Sequence, residues 1–370
     1  MVKRLLLLNG LAVLCAVVHH AVGWDVTAMF FWTDRYLPVT VPNLDQMWGL
    51  RYIFLRFIDQ FTLPGLPAFL IVSGYFIAVA TGSRLSGLSW KMVFQRVKTL
   101  VIPYLIWSFV LIAFNLVQGV RYSGVDIAYT LLTGSIAPPY YYVPLLIQLY
   151  LLAPFMVHLA RNHWKLLLGF AAFIQLPVTY AHYALVLKLD QGAWEPVLAV
   201  LRDWHLLGYA VWFVLGMVIG FHLEAFKGFL QRARPVLLAG LVLTFIASLA
   251  EWVLLERASA EIWLSSQIAI LAKLFVLFVL LAFFAFNRLS YPTPAQLAQL
   301  GAKSFGIYLI HSLFLELTAR GVYHVAPWLL AYQLPFLALL VAAGVAFPLA
   351  LMWGVNRVSV LRPYYGYLFG

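Results

Sequence analysis

Apolar stretches of about 20 residues recur from Leu5 to Trp353, each long enough to cross a bilayer as a helix. They fall at about 5–22, 62–81, 99–119, 141–160, 165–184, 205–222, 235–254, 263–287, 304–321 and 330–353. Only 10% of the residues are charged and 64% are hydrophobic. An ordinary soluble domain carries roughly 25% charged residues, so a water-facing surface cannot be built from this chain. A transmembrane barrel would alternate polar and apolar residues, whereas these segments are apolar on every side. The expected fold class is an all-α integral membrane protein, a bundle of about ten transmembrane helices. It forms a single domain over 1–370 with no soluble domain. Lys3 and Arg4 ahead of Leu5 to Val22 mimic a signal peptide, but nine further segments follow and the first is read as a retained helix.

The net charge of +11 is not a nucleic-acid footprint, because the positive residues are spread between the spans. With the N-terminus inside, the inner loops hold Lys3, Arg4, Arg84, Lys91, Arg96, Lys98, Arg161, Lys165, Lys227, Arg232, Arg234, Arg288, Lys303, Arg357 and Arg362. That is fifteen of the 24 positive residues, with Glu224 the one acid among them. Asp25, Asp34, Asp45, Asp126, Asp190, Glu195, Asp203, Glu256 and Glu261 fall in outer loops and helix ends. The alternation predicts both termini cytoplasmic. The single cysteine, Cys15, excludes an intramolecular disulfide framework and a cysteine-rich metal centre, and no metal site is expected. Gly65 with Pro64 and Pro67 predicts a broken or re-entrant second span. Trp24, Trp32 and Trp48 are of the kind that sits at the lipid–water boundary.

Ionisable groups inside spans are costly and mark function by default. His19 and His20 close the first segment, and a histidine there is either a general base or an interfacial group wetted by headgroup water. His311, mid-span, needs a partner or a wet cavity. Lys273 must pair, snorkel or lose its proton. Glu316 and Arg320, four apart, face each other as a structural pair. Glu251 reads as a headgroup-wetted acid near a helix end. Arg51, Arg56 and Asp59 flank the broken span and are candidates for a cavity mouth. Arg96 and Lys98 read either as a topogenic cluster or as an anion site for a phosphorylated ligand. No P-loop, G-x-G-x-x-G, G-x-S-x-G or H-E-x-x-H pattern is present. His19-His20-Ala-Val-Gly-Trp-Asp25 has its aspartate one residue too far for the HHxxxDG box of soluble acyl-CoA-dependent transferases.

Several segments, taken in order, resemble the membrane acyltransferase-3 family of bacterial O-acyltransferases that modify cell-surface carbohydrates. Asn9-Gly-Leu-Ala through His20 is similar to its R-G-L-A-x7-H first helix. Pro67-Ala-Phe-Leu-Ile-Val-Ser-Gly-Tyr-Phe-Ile77 is similar to P-x-F-F-x-x-S-G-F-x-I, and Gln95-Arg-Val-Lys-Thr-Leu-Val-Ile-Pro-Tyr104 to K-R-x-x-R-L-x-x-P-Y. Leu146 to Pro154, Trp212 to Gly220, Phe305 to His311 and the closing Leu361 to Gly370 also fit. The family's ten-helix, N-inside topology agrees with the count from charge.

The resemblance implies a multi-pass enzyme of the bacterial cytoplasmic (inner) membrane. It would move an acyl group, with acetyl-CoA the favoured donor, to a hydroxyl of an extracytoplasmic carbohydrate such as an exopolysaccharide. No permanently bound cofactor is expected; the partners are acyl-CoA, a carbohydrate acceptor and the bilayer. His20 is the expected base. Lys273, Tyr308, His311 and His19 are candidates for stabilising the oxyanion or supporting the base, and Arg56 and Asp59 for the acceptor side. Arg96, Lys98 and Asn9 are the expected acyl-CoA contacts. Direct transfer and an acyl-histidine relay both fit. So does an exporter of polysaccharide or lipid-linked sugar without acyl transfer, because the family's arginine in R-x10-H is here Asn9. Eleven helical steps make about three turns, so Asn9 and His20 share one face about 16 Å apart. The second basic position of the third motif is Thr99.

Overall fold

The computed structural model describes residues 2–82, 87–286 and 293–370. Arg84 and Arg288, expected in inner loops, lie outside the described residues. The described residues are helical: α1 (Val2–Phe30), α2 (Leu50–Gln60), α3 (Gly65–Thr81), α4 (Trp90–Val117), α5 (Gly124–Thr133), α6 (Tyr142–Asn162), α7 (Trp164–Phe173), α8 (Gln175–Val186), α9 (Glu195–Asp203), α10 (His205–Phe221), α11 (Leu223–Ser259), α12 (Ile270–Ala285), α13 (Pro294–Ala302), α14 (Ser304–Val325), α15 (Gln333–Arg357) and α16 (Tyr365–Phe369). Among the described residues seven segments are long and apolar enough to cross a membrane, or eight if the α9–α10 pair, bent by 43°, is one span. The two remaining predicted spans coincide with α12, of 16 residues, and α14, of 22, whose His311, Glu316, Arg320 and His324 make it more polar. The second span is interrupted between Gln60 and Gly65, where the prolines predict a break.

Two compact units emerge: Met1–Thr62, Gln95–Ile147 and Ala295–Gly370 form the first, and Leu63–Phe94 with Gln148–Pro294 the second. In the first unit α1 packs on α14 and α15. It runs eight residues past its predicted end, because Ala21 to Phe30 holds no helix breaker beyond Gly23. Asp25 therefore falls in the last two turns of the helix and not in a loop. It lies inside α1, fully buried, with neither carboxylate oxygen hydrogen-bonded. Gly10 and Gly301 let α1 and α13 touch backbone to backbone; a Cβ on either would overlap a carbonyl of the other helix. The closing segment docks on α4, where Trp107 Nε1 donates to the Leu368 carbonyl at 2.8 Å and stacks on Phe369. Glu316 and Arg320 form the expected pair at 2.8 Å.

In the second unit the closest helix pair is α3 with α10. A Cβ on Gly74 would overlap the Phe213 carbonyl, and one on Gly216 the Ile71 carbonyl. The Ser73-Gly74 and Trp212 to Gly220 segments thus meet as a small-residue helix crossing. Glu251 departs from the expected headgroup role. Its carboxylate accepts from the Leu271 N–H at 2.8 Å and from the Tyr183 hydroxyl, which in turn accepts from the Ile270 N–H at 3.0 Å. Ala269, at the N-cap of α12, has no side-chain acceptor, so α8 and α11 supply the missing partners for the helix's first N–H groups.

Candidate active site

The site in the first unit starts from two helices. α1 spans 29 residues, about 43 Å at the usual rise, which puts His19 and His20 well inside it rather than at its end. α2 is amphipathic. Leu50, Ile53, Phe54 and Phe57 are exposed along one face, while Tyr52, Leu55, Arg56 and Asp59 are buried on the other. With its apolar stripe exposed, the helix turns a guanidinium and a carboxylate inward.

Those two groups are not at a cavity mouth, as their sequence position implied. They are fully enclosed and lead to His19. Arg56 Nη1 lies 3.5 Å from Asp59 Oδ2, and Asp59 Oδ1 lies 2.6 Å from His19 Nδ1. The Thr62 hydroxyl sits 2.6 Å from the Asp59 carbonyl oxygen and 3.2 Å from its Oδ1. Cation and anion compensate each other where neither could be buried alone. A carboxylate can only accept, so His19 donates from Nδ1.

His311 is fixed by a different device. Its Nδ1 lies 2.7 Å from the Tyr308 carbonyl and 3.2 Å from that of Ile307, so it too donates from Nδ1. Its Nε2 is buried without a partner. His20 stands between the two, its ring centroid 5.0 Å from that of His19 and 5.4 Å from that of His311. Neither ring nitrogen of His20 is hydrogen-bonded to another described residue. The row of rings continues through Tyr308, 5.9 Å from His311, to Tyr142, 5.3 Å further. Tyr140 anchors this end by donating to the Leu309 carbonyl at 2.6 Å.

The structure thus brings together His19, His20, Arg56, Asp59, Tyr308 and His311. Thr62 and Tyr142 join them; the Tyr140-Tyr141-Tyr142 triplet was the available sign of the latter. Among the described residues no group of three or more His, Cys, Asp or Glu side chains is arranged to hold a metal ion. Such an arrangement leaves His20, between two further imidazoles, free to accept a proton.

The remaining expected residues lie elsewhere. Asn9 is on α1 with its Oδ1 buried and unbonded. Arg96, half-buried, and Lys98, exposed, lie near the start of α4, where the Thr99 hydroxyl donates to the Arg96 carbonyl at 2.8 Å. Lys273 belongs to the second unit. Its Nζ donates to Thr179 Oγ1 at 3.1 Å and Gln175 Oε1 at 3.4 Å, beside a cavity lined by Pro67, Tyr209, Trp212 and Gln267.

A family model described as an acyltransferase domain matches residues 3–353. No curated protein and no solved structure matches the chain.

Proposed function

The chain belongs to the acyltransferase 3 family, and on that premise we propose that it is a membrane O-acetyltransferase acting on an extracytoplasmic carbohydrate such as an exopolysaccharide. The donor is cytoplasmic acetyl-CoA, and the membrane is the bacterial cytoplasmic membrane with both termini inside. The observation that carries the reading is the state of His20. It is the one imidazole of the three with both nitrogens uncommitted, and it is the histidine at the family's R-x10-H position.

In the proposed reaction a carbohydrate hydroxyl gives its proton to His20, and its oxygen attacks the thioester carbonyl carbon. The C–S bond breaks, and the coenzyme A thiolate takes the proton back from the imidazolium, leaving an O-acetyl ester and the free thiol. His19, oriented by Asp59, and His311 hold the His20 ring between them; the Tyr308 hydroxyl is assigned to the oxyanion. Arg96, Lys98 and Asn9 are assigned to the donor's phosphates and nucleotide. Direct transfer needs no protein nucleophile, and an acyl-histidine relay through His20 uses the same residues.

One observation favours a second reading, export of a glycan without acyl transfer: Asn9 carries no charge where the family has arginine. Mass spectrometry of the surface glycan separates the two. Cells with the intact protein are expected to gain one acetyl group per modified sugar, and cells with His20→Ala none, with the variant inserted at the normal level. Normal acetylation in that variant removes His20 as the base, and an unmodified glycan in all strains favours export.

A further inference from the structure

The face of α1 that carries Asn9 and His20 does not end at the histidine. At 100° per residue, Gly23 points about 40° from His19 and about 60° from His20, between the two. Ala16, one turn to the other side, and Thr27, one turn beyond Gly23, point the same way to within about 40° of His20. All of these positions are partly exposed, although Val22, Asp25 and Val26 around them are buried. A Cβ at Gly23 would meet nothing within 4 Å, in contrast to Gly10 on the same helix, which is pressed against α13. Open space therefore adjoins the histidine row on the Phe30 side, and small residues keep it open.

One wall beyond that space is aromatic and internally packed. Trp24, four residues after His20, lies 5.5 Å from Trp32 between ring centroids, and Trp32 lies 4.9 Å from Tyr323. The Arg35 guanidinium sits 4.6 Å over the Tyr323 ring and donates to its carbonyl at 3.3 Å. The three rings are half-buried, and Asp34 and Arg35 are exposed at their rim. Aromatic residues that only anchor a helix at the lipid boundary have no need to pack on one another beside a polar site. A pyranose ring has an apolar C–H face and an edge of hydroxyls. Half-exposed indoles match the first, and a guanidinium and a carboxylate match the second.

We infer that the gap at Gly23 is the passage by which the acceptor reaches His20, and that Trp24, Trp32 and Tyr323 bind the sugar rings of a glycan acceptor. The inference rests on the acetyltransferase reading and adds to it the residues that select the acceptor. A leucine at position 23 would fill the passage without touching the donor's route from the Asn9 end.

The test uses the full-length protein, acetyl-CoA, and surface glycan from cells lacking the protein as acceptor. Two quantities are read: acetyl groups on the glycan by mass spectrometry, and the rise in melting temperature that acetyl-CoA produces in the purified protein. Gly23→Leu is expected to keep the acetyl-CoA shift while glycan acetylation falls about tenfold or more. Trp32→Ala is expected to raise the glycan KM several-fold with kcat held. Glycan acetylation at the normal rate in Gly23→Leu, or loss of the acetyl-CoA shift in step with it, would overturn the passage. Reduced membrane insertion of Trp32→Ala at an unchanged KM would make the aromatics lipid anchors and overturn the wall. An intact protein that binds acetyl-CoA but acetylates no glycan would overturn the parent reading, and the passage with it.

Discussion

The Nδ1 of His19 lies 2.6 Å from Oδ1 of Asp59, forty residues away, and the other oxygen of that carboxylate faces Arg56. Side chains of Arg56 and Asp59 are 0% and 1% exposed, so the carboxylate answers to an imidazole on one side and a guanidinium on the other. Removing it takes the carboxylate from a buried guanidinium, which costs about 3–5 kcal/mol where such pairs have been broken. Asp59→Leu is therefore expected to lower the melting temperature of the purified protein sharply. Asp59→Asn, which keeps an acceptor for His19 Nδ1 but no charge, should be milder in stability yet still lose about 100-fold in transfer. A variant with full activity would detach this pair from the chemistry.

His311 makes the opposite prediction for stability. Its Nε2 is buried without a partner, and an unmet polar atom in that position costs about 1–3 kcal/mol. His311→Leu removes the unmet atom at similar volume. The melting temperature is expected to hold or rise while acetyl transfer falls about tenfold or more. Loss of both together would make His311 a packing residue.

How much of this could be read from the chain depends on whether the signal is local. Runs of apolar residues announce helices because burying or lipid-facing length is a local property, and α6 and α15 lie where their runs do, whereas α4 starts nine residues before its run, at Trp90. The i,i+4 pair of Glu316 and Arg320 is local too. The union of His19 with Asp59 is not: nothing in either stretch specifies its partner, and only the stripe of exposed residues on α2 shows which way Asp59 must turn. Nor does anything local to Asp25 set where α1 stops; the helix continues through it to Phe30. The role of Glu251 is non-local for a related reason. Its role is set by the absence of a cap at Ala269, eighteen residues away in sequence but adjacent in the fold. The family-like segments around Gly74 and Gly216 carried no chemistry in the sequence; in the structure they are one helix crossing.

That crossing can be tested by volume alone. A Cβ on Gly216 would overlap the Ile71 carbonyl, and backbone cannot yield as a flexible side chain does. Gly216→Val is expected to destabilise the protein by about 3 kcal/mol or more, at the upper end for overpacking. Gly228, whose Cβ would meet nothing within 4 Å, should tolerate alanine without loss. Melting curves of the two variants in the same detergent make the comparison, and equal stability would show that α3 and α10 are not in close contact.

The donor end is tested by restoring a charge. Asn9 occupies the place of the family's arginine, and its buried Oδ1 has no hydrogen-bond partner. An anionic donor bound there would gain nothing from that oxygen but would gain from a guanidinium, which pairs with phosphate in bidentate fashion. Asn9→Arg is expected to lower the KM for acetyl-CoA by about tenfold, the worth of one charge-assisted contact of about 1.4 kcal/mol. The KM for glycan should not move, because the acceptor's passage lies on the other side of His20. The effect should also shrink as salt rises if the new contact is ionic. An unchanged KM for acetyl-CoA in a correctly inserted Asn9→Arg protein would place the donor's phosphates away from α1, at Arg96 and Lys98 alone.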